Sequence, residues 1–417
     1  MGARRRGLGT MAVATTVAAG LALIGCSSGS GSSSPSPTTA AVAAAEVADG
    51  LRAAVADVVD ELHVPGALVL VDTPEGRVVE SFGNRAVGLA APLTADDHYR
   101  IGSVTKTMTA TVVLQLVEEG LVSLDDPVSA HLDGVPGGEQ VSVRQLLNMT
   151  SGLPEFTDTD QMSDVIAADP GRTWSPQDAL AIAFDPAATR PPGTEEPVRG
   201  AYHYDNTNYV LLGLLIEELT GQTASEAMHE RIFEPLGMEH SFLPEPADAA
   251  LPEPHPQGYV FGLGDDPDVA VDATDWNPSW AWTAGGVVST LEDMAVYAAA
   301  LADGRLLGPE MQAVRLNEDF VPVGTDSDVA YGLGIVRADG FYGHSGGIFG
   351  FNNWTLHDPE RDITVIVLAT ALSTPYDPMP ARTLLEAVTT QLWDTVLVPA
   401  APAPADTDGT GDGSDAG

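Results

Sequence analysis

Apolar residues recur at helical spacing near the start of the chain and at strand spacing directly after it. Between residues 44 and 62 the spacing is that of an amphipathic helix. One stripe of that helix would carry Val47, Leu51, Val55, Val58 and Leu62. The runs 67–72 and 76–81 are rich in β-branched residues and flank a Pro-Glu-Gly turn. The pattern predicts a helix followed by a β-hairpin.

Further along the chain, helical segments dominate. A helix is expected to begin at or near Ser103 and to run to Glu119, with Gly120 as its stop signal. The region from about 125 to 250 reads as helices and loops. Its clearest helix spans 208–219 and is again followed by a glycine, Gly221.

Strand-like runs return in the last third of the sequence, at 332–337, 351–356 and 363–369. A final helix is predicted at 381–396. Strands and long helices therefore lie towards both ends, with helices inserted between them. This order indicates an α+β fold, in which both ends of the chain build an antiparallel sheet flanked by the terminal helices. The inserted region would form a mostly helical second lobe, and a ligand site is expected between the lobes.

The two ends differ in composition from the predicted folded domain, 46–398. Residues 1–26 combine three arginines, an apolar run and small residues, the layout of an export signal. The apolar run is short for a membrane span, although an uncleaved anchor is the alternative. Residues 27–45 read as a flexible linker and 399–417 as a disordered acidic tail.

The only cysteine, Cys26, ends a Leu-Ile-Gly-Cys sequence that resembles a bacterial lipobox. We interpret Cys26 as a lipidation site rather than a catalytic thiol, because it adjoins the signal peptide. Acyl chains there would hold the protein stably at a membrane. The expected location is the outer face of the cytoplasmic membrane, within the cell envelope.

Charge and histidine placement exclude several classes of function. The chain of 417 residues has a formal net charge of −41, and its acidic residues are spread throughout. A nucleic-acid partner would require clustered cations. The nine histidines form no recognisable metal-binding motif. We therefore expect no metal and no cofactor.

The only lysine, Lys106, follows Ser103 by three residues, whereas every other basic residue is an arginine. On a helix, residues three apart share a face. A serine hydroxyl needs a base to become a good nucleophile. A neutral lysine amine can act as that base, but arginine keeps its proton. The alternative is a solvated lysine on a surface helix.

Two later stretches add groups of the same chemical kind. Tyr204 and Asn206, ahead of an apolar helix, offer a phenol that can transfer protons and a carboxamide that can bind a substrate amide. The alternative is a turn in which Asn206 or Asn208 caps that helix. His344-Ser345-Gly346-Gly347 precedes a strand, where glycines allow close approach of a substrate backbone. The alternative there is a structural histidine in a bulged turn.

The set Ser-x-x-Lys, Tyr-x-Asn and His-x-Gly resembles the penicillin-recognising serine hydrolases, which have the β-lactamase/transpeptidase-like fold. The likeness is greatest to the D-alanyl-D-alanine carboxypeptidases and then to class C β-lactamases and related esterases. It also includes phrases that lie between the three motifs. These are Leu146–Leu153, Glu230–Gly237, Trp282–Gly286 and Tyr331–Gly334.

The resemblance implies a role for each matching residue. Ser103 would be the acylated nucleophile, Lys106 its base and Tyr204 the general acid/base. His344, the first residue of the third motif, would also be catalytic. Asn206, Ser345, Gly346 and Gly347 would bind substrate, with the N–H groups of Ser103 and Gly347 as the oxyanion hole. Trp280 would border the cleft, or else be a core indole. Arg337 would lie near the substrate carboxylate, or else be a surface arginine.

Two positions depart from the carboxypeptidase pattern. Gly347 stands where those enzymes have a threonine, and Asp205 stands between Tyr204 and Asn206. We expect Asp205 to point to solvent; if it pointed inward, it would raise the pKa of Lys106 or Tyr204.

The implied activity is removal of the terminal D-alanine from cell-wall stem peptides by a monomeric enzyme that also binds β-lactams. The alternatives are an esterase, amidase or β-lactamase with the same residues, and a non-catalytic binding lipoprotein.

Overall fold

The structure is a computed structural model that describes residues 37–392 except 192–193, 195–196, 264–265 and 325–328, and residues 37–47 by their backbone alone. The predicted signal peptide, Cys26, residues 27–36 of the predicted linker and the predicted tail lie outside the described residues. Among the helices described, none is long and apolar enough to cross a membrane.

The strands form one large antiparallel sheet and two small pairs. They are β1 Gly66–Thr73, β2 Gly76–Gly83, β3 Tyr99–Arg100, β4 Tyr259–Val260, β5 Val271–Asp272, β6 Val288–Ser289, β7 Val321–Pro322, β8 Ala330–Tyr331, β9 Val336–Ala338, β10 Phe341–Ile348, β11 Phe351–Asp358 and β12 Ile363–Ala369. The eight-stranded sheet has the order β2-β1-β12-β11-β10-β9-β8-β7. Strands from the start and the end of the chain are therefore neighbours, which confirms a sheet built from both ends.

Helices cover both faces of this sheet. They are α1 Pro37–Leu62, α2 Thr105–Glu118, α3 Val143–Leu147, α4 Asp160–Ala168, α5 Pro176–Ala183, α6 Asn206–Thr220, α7 Ala224–Met228, α8 Glu234–Leu236, α9 Trp282–Gly285, α10 Leu291–Asp303, α11 Pro309–Asn317 and α12 Pro380–Leu392. The helices α3 to α8 form the predicted helical region. The α+β architecture with a helical second lobe is confirmed.

Strand β1, the second strand of the sheet, shows why both faces need to be covered. Leu68 and Leu70 belong to the core shared with α2 and α6, whereas Val69 and Val71 belong to a second core with α1 and α12. Successive strand residues point to opposite faces, so a strand buried on both sides reads as a continuous apolar run. Each fully buried side chain of this size contributes roughly 1.5–3 kcal/mol.

Two boundaries differ from the sequence expectation. Helix α1 begins at Pro37 rather than at residue 44, so it takes in part of the predicted 27–45 linker. The run from 40 to 45 is rich in alanine, the best helix former, which explains the earlier start. The expected single strand 332–337 is wrong, because it is the turn between β8 and β9 with the start of β9. Gly334 has φ +70 in that turn, a conformation that ends a strand.

Helices α2 and α6 position the site. Gly102–Val104 forms a 3₁₀ turn that leads directly into α2, and α6 ends at Gly221 in the left-handed conformation. The two helices pack side by side in the core, and the turn before α2 packs against β10. Their first turns and the middle of β10 therefore meet at one place.

Candidate active site

Ser103 and Lys106 occupy consecutive turns where the 3₁₀ turn becomes α2. The Lys106 Nζ lies 3.0 Å from the Ser103 Oγ. Lys106 is fully buried, and Ser103 is 7% exposed. The structure therefore brings the two residues of the Ser-x-x-Lys motif into hydrogen-bond contact, with a narrow opening at the serine.

The amine of Lys106 has two further partners, both of them acceptors. The Nζ donates to Asn206 Oδ1 at 2.7 Å and to the Ala284 carbonyl at 2.7 Å. A neutral amine has two N–H groups and one lone pair. With both N–H groups held by Asn206 and Ala284, the lone pair is directed at Ser103 Oγ. This is the arrangement that a general base requires.

Because Lys106 is buried, its amine can be neutral near pH 7. Loss of solvation lowers the pKa of Lys106 from 10.5 to about 7, against the opposing charges of Glu155 and, when it is ionised, Asp205. Arginine at this position would keep its charge. At about pH 7, roughly half of the Lys106 amines would therefore be neutral.

Tyr204 lies over the same amine. The Lys106 Nζ is 4.8 Å from the centre of the Tyr204 ring. Burial raises the pKa of Tyr204 well above its usual value of 10, although the nearby Ser103 hydroxyl opposes the shift. Tyr204 is thus a neutral phenol, suited to donate a proton, and Lys106 is the better candidate for the base. The Tyr204 hydroxyl has no hydrogen-bond partner of good geometry among the described residues.

A buried carboxylate, Glu155, holds Asn206 in place. The Asn206 Nδ2 donates to Glu155 Oε1 at 3.2 Å and to Thr157 Oγ1 at 3.2 Å, and its backbone N–H donates to Glu155 Oε2. These bonds turn the Asn206 oxygen towards Lys106. The predicted substrate-binding role of Asn206 would rely on that oxygen, since both N–H groups of Nδ2 are used within the protein.

Asp205 does not point to solvent, so that expectation is wrong. It is 1% exposed and is the N-cap of α6, where its Oδ1 accepts a hydrogen bond from the Thr207 N–H at 2.8 Å. The cap is therefore Asp205, not Asn206 or Asn208. Burial, and next the charge of Glu155, raise the pKa of Asp205 well above its usual range. This shift favours the protonated form of Asp205.

The third motif packs directly on the turn that carries Ser103. A Cβ at Gly346 would lie 1.9 Å from the Ile101 carbonyl oxygen, and one at Gly102 would lie 2.7 Å from the Gly347 nitrogen. Only glycine allows such contact, and Gly102 has φ +54 besides. The backbone N–H groups of Ser103 and Gly347, the predicted oxyanion hole, are therefore in neighbouring, touching segments.

His344 is buried beside Tyr204 on strand β10. Its Nε2 lies 3.1 Å from the Tyr331 hydroxyl and its Nδ1 lies 2.5 Å from the Ser345 carbonyl oxygen. Burial, followed by the charge of Lys106, lowers the pKa of His344 to about 3. His344 is therefore a neutral imidazole at physiological pH. Ser345 is buried next to it.

Trp280 and Arg337 lie in different surroundings. Trp280 is 8% exposed, packs edge-on against Phe156 and Phe349, and also lines a cleft that includes Gly347. It thus combines the two roles considered for it. The Arg337 guanidinium lies over the Phe320 ring at 4.3 Å, and Arg337 pairs with Tyr342 across strands β9 and β10.

Known proteins share this arrangement of sheet and helices. The sequence profile of the Beta-lactamase family matches residues 51–389. This chain belongs to that family of serine hydrolases. In the described part of the chain, no cluster of three or more acidic, histidine or cysteine side chains could hold a metal ion.

Two proteins related in sequence to this chain are named as penicillin-binding proteins. The chain is 34% identical over 247 residues to penicillin-binding protein 4 of Amycolatopsis lactamdurans, covering 57% of this chain and 59% of that protein. It is 28% identical over 264 residues to the putative penicillin-binding protein PbpX of Bacillus subtilis, covering 63% and 58%. The matched region thus spans less than two thirds of each relative.

Solved structures of the same fold cover more of the chain. A D-stereospecific amidohydrolase from Streptomyces superposes with a TM-score of 0.70 at 30% identity, covering 82% of this chain and 98% of the other. A D-amino acid amidase from Ochrobactrum anthropi superposes with a TM-score of 0.72 at 27% identity, covering 84% and 99%. A penicillin-binding protein homologue from Pyrococcus abyssi, with a TM-score of 0.67 at 28% identity over 83% and 77%, is octameric.

Three contributors to the site were missed from the sequence. Glu155 and Thr157 orient Asn206, and the Ala284 carbonyl binds Lys106. Glu155 lies two residues after the family-like stretch Leu146–Leu153, and Ala284 lies within the stretch Trp282–Gly286. This proximity was the only indication in the sequence that these residues contribute to the site.

Proposed function

We propose that the protein is a hydrolase that forms an acyl-enzyme at Ser103 and cleaves the terminal D-alanine from D-Ala-D-Ala peptides of the cell wall. The observation that carries this proposal is the contact of the buried Lys106 amine with Ser103, its two other hydrogen bonds being taken by Asn206 and Ala284. The names of the penicillin-binding relatives support the substrate class.

The reaction has two steps. Neutral Lys106 accepts the Ser103 proton while Oγ attacks the scissile carbonyl, and the N–H groups of Ser103 and Gly347 stabilise the oxyanion. The C–N bond then breaks, and Tyr204 gives its proton to the departing amine and is reprotonated from Lys106. Water releases the acyl group and restores the Ser103 hydroxyl. A β-lactam would acylate Ser103 in the same way.

A second candidate is an amidase or esterase for other D-aminoacyl compounds. Gly347 has no hydroxyl to offer a terminal carboxylate, which favours substrates that lack one. The D-stereospecific amidohydrolase and the D-amino acid amidase have structures similar to this chain. Both candidates use the same acyl-enzyme chemistry and differ in the leaving group.

Labelling with a fluorescent penicillin tests the shared mechanism. Intact mass and peptide mapping should place one adduct on Ser103, and Ser103→Ala should abolish it. An adduct elsewhere, or none, would contradict the proposal. Release of D-alanine from a diacetyl-Lys-D-Ala-D-Ala peptide, set against ammonia release from D-alaninamide and hydrolysis of D-alanine esters, would then separate the two candidates.

We further propose that the protein is an exported lipoprotein attached through Cys26 to the outer face of the cytoplasmic membrane, and that it is a monomer. Mass spectrometry of the protein from its bacterial host should find a diacylated or triacylated Cys26 at the N-terminus. Cys26→Ala should release the protein from the membrane fraction. An unmodified Cys26 would contradict the anchor, and an oligomer in light scattering of the soluble domain would contradict the monomer.

A further inference from the structure

An apolar cleft opens beside the third motif. Its volume is about 260 Å³. Helix α4, the aromatic residues before α9 and the end of β10 form its walls. The principal lining residues are Met162, Ile166, Trp276, Trp280, Phe349 and Leu372. None of the described residues that line it carries a charge.

The cleft is continuous with the proposed active site. Gly347, one of the two proposed oxyanion donors, is part of its lining, and so is Thr157. Thr157 accepts a hydrogen bond from Asn206 Nδ2, and Asn206 in turn accepts one from Lys106. A substrate whose carbonyl oxygen lies between the Ser103 and Gly347 N–H groups would therefore have the cleft within reach.

Strand β10 fixes which part of the substrate enters. His344, near one end of the motif, packs against Tyr204, with ring centres 6.1 Å apart. Tyr204 gives its proton to the leaving group, so the leaving group lies on the His344 side. Ile348 and Phe349 follow Gly347 in the opposite direction and line the cleft. The acyl part of the substrate is therefore the part that faces the cleft.

The chemistry of the walls selects an apolar group. Trp276 and Trp280 both pack edge-on against Phe349, with ring centres 5.1 Å and 5.7 Å apart. The Thr157 hydroxyl is already bonded to Glu155 at 2.5 Å. A cavity of about 150 Å³ suffices to hold benzene, so this cleft has room for a phenyl or indolyl group but is mostly empty around a methyl group.

We propose that this cleft binds a bulky apolar side chain on the acyl part of the substrate, next to the scissile carbonyl. This proposal rests on the Ser103 acyl-enzyme proposed above and deepens it by naming the substrate class. A D-alanyl substrate would then be accepted but poorly matched, and aromatic or large aliphatic D-aminoacyl amides and esters would be preferred.

The test compares kcat/KM for the p-nitroanilides of D-alanine, D-leucine, D-phenylalanine and D-tryptophan. We expect the aromatic substrates to exceed the D-alanine substrate by about 10- to 200-fold, the range that one well-matched apolar contact provides. Equal values, or a preference for D-alanine, would overturn the cleft proposal.

Filling the cleft should remove the preference. Ile166→Phe, with Ala167→Phe as a second variant at the rim, should lower kcat/KM for the D-phenylalanine substrate towards that for D-alanine. Asp164→Phe, exposed on the same helix but not lining the cleft, is the matched control and should keep the preference. A preference that survives in both folded cleft variants would overturn the proposal.

Penicillin labelling of the same samples distinguishes failure of the cleft proposal from failure of the acyl-enzyme proposal. If Ser103 is labelled and D-alanine p-nitroanilide is hydrolysed without aromatic preference, only the cleft proposal fails. If Ser103 is not labelled and no substrate is hydrolysed, the acyl-enzyme proposal fails, and the cleft proposal fails with it.

Discussion

Two buried basic side chains, Lys106 and Arg315, lie at helix α2 and have different roles. Near the start of α2, the Lys106 amine contacts Ser103 and has a pKa lowered to about 7. One turn further along, Arg315 donates to the Thr111 hydroxyl at 2.7 Å and to the Thr107 carbonyl at 3.0 Å. Burial also lowers the pKa of Arg315 from its usual 12.5, but a guanidinium keeps its charge at neutral pH.

The comparison explains why this chain contains one lysine. Arg315 and Arg100 are both 1% exposed. Arg100 donates to the carbonyl oxygens of Ala249 and Thr274 and has a pKa of about 10. Both arginines supply fixed donors to carbonyl or hydroxyl oxygens. Lysine stands where the cation must lose a proton, a change that arginine cannot make.

Exchanging the catalytic cation should have the largest effect. Lys106→Arg should leave the fold intact and lower the rate of Ser103 acylation by about 10²–10⁴-fold, the contribution of a general base. The measurement is the rate of adduct formation with a labelled penicillin, followed by intact mass. Circular dichroism and the melting temperature provide the control for folding.

Replacing Arg315 with lysine should lower the stability of the fold rather than the rate of acylation. Arg315→Lys replaces two guanidinium donors with one ammonium group, so one of the two hydrogen bonds is lost. We expect a loss of about 1–3 kcal/mol in the free energy of unfolding, measured by denaturant titration. Acylation per folded molecule should stay near that of the wild type. A loss of acylation without a loss of stability would contradict the division between the two cations.

Removing the nearby charge should move the pH profile. The Glu155 carboxylate raises the pKa of Lys106, so Glu155→Gln should lower that pKa and extend acylation to lower pH. The plateau should fall by less than about tenfold, because Asn206 keeps one oxygen partner. The profile is measured as acylation rate against pH. An acidic limb that stays in place would show that the Glu155 charge does not act on Lys106.

The smallest effect is expected at the neighbouring carboxyl. Burial, and next the charge of Glu155, raise the pKa of Asp205 and favour its uncharged form. Asp205→Asn, which is also uncharged, should therefore leave the acidic limb nearly unchanged, while its side-chain oxygen still caps α6. This variant is the matched control for Glu155→Gln, and a limb that moves in both variants would show that the pair shares its charge.

The elements that were predicted correctly are those that short-range sequence patterns determine. The hairpin of β1 and β2, the helix α2 with its glycine stop and the helix α6 all follow from periodicity and breaker residues. The Ser103–Lys106 contact follows from helical spacing. The turn at Gly334 was missed because the apolar run continues through it.

The parts that were missed depend on tertiary contacts. Asp205 carries a polar side chain that favours the surface, and only the packing of α6 against the loop at Glu155 buries it. Glu155 lies 51 residues from Asn206 in the chain and has no periodic relation to it. The cleft at Trp280 arises where α4, the segment before α9 and β10 meet, which no single stretch encodes.

The pH dependence of Ser103 acylation tests the central claim most directly. If neutral Lys106 is the base, the acylation rate should rise between about pH 5.5 and about pH 8.5, with an apparent pKa of about 7. The rise follows because the neutral fraction of the amine grows as the pH passes its pKa. Lys106→Arg should lack this limb. A rate that is independent of pH across this range, or a limb that persists in Lys106→Arg, would contradict the account.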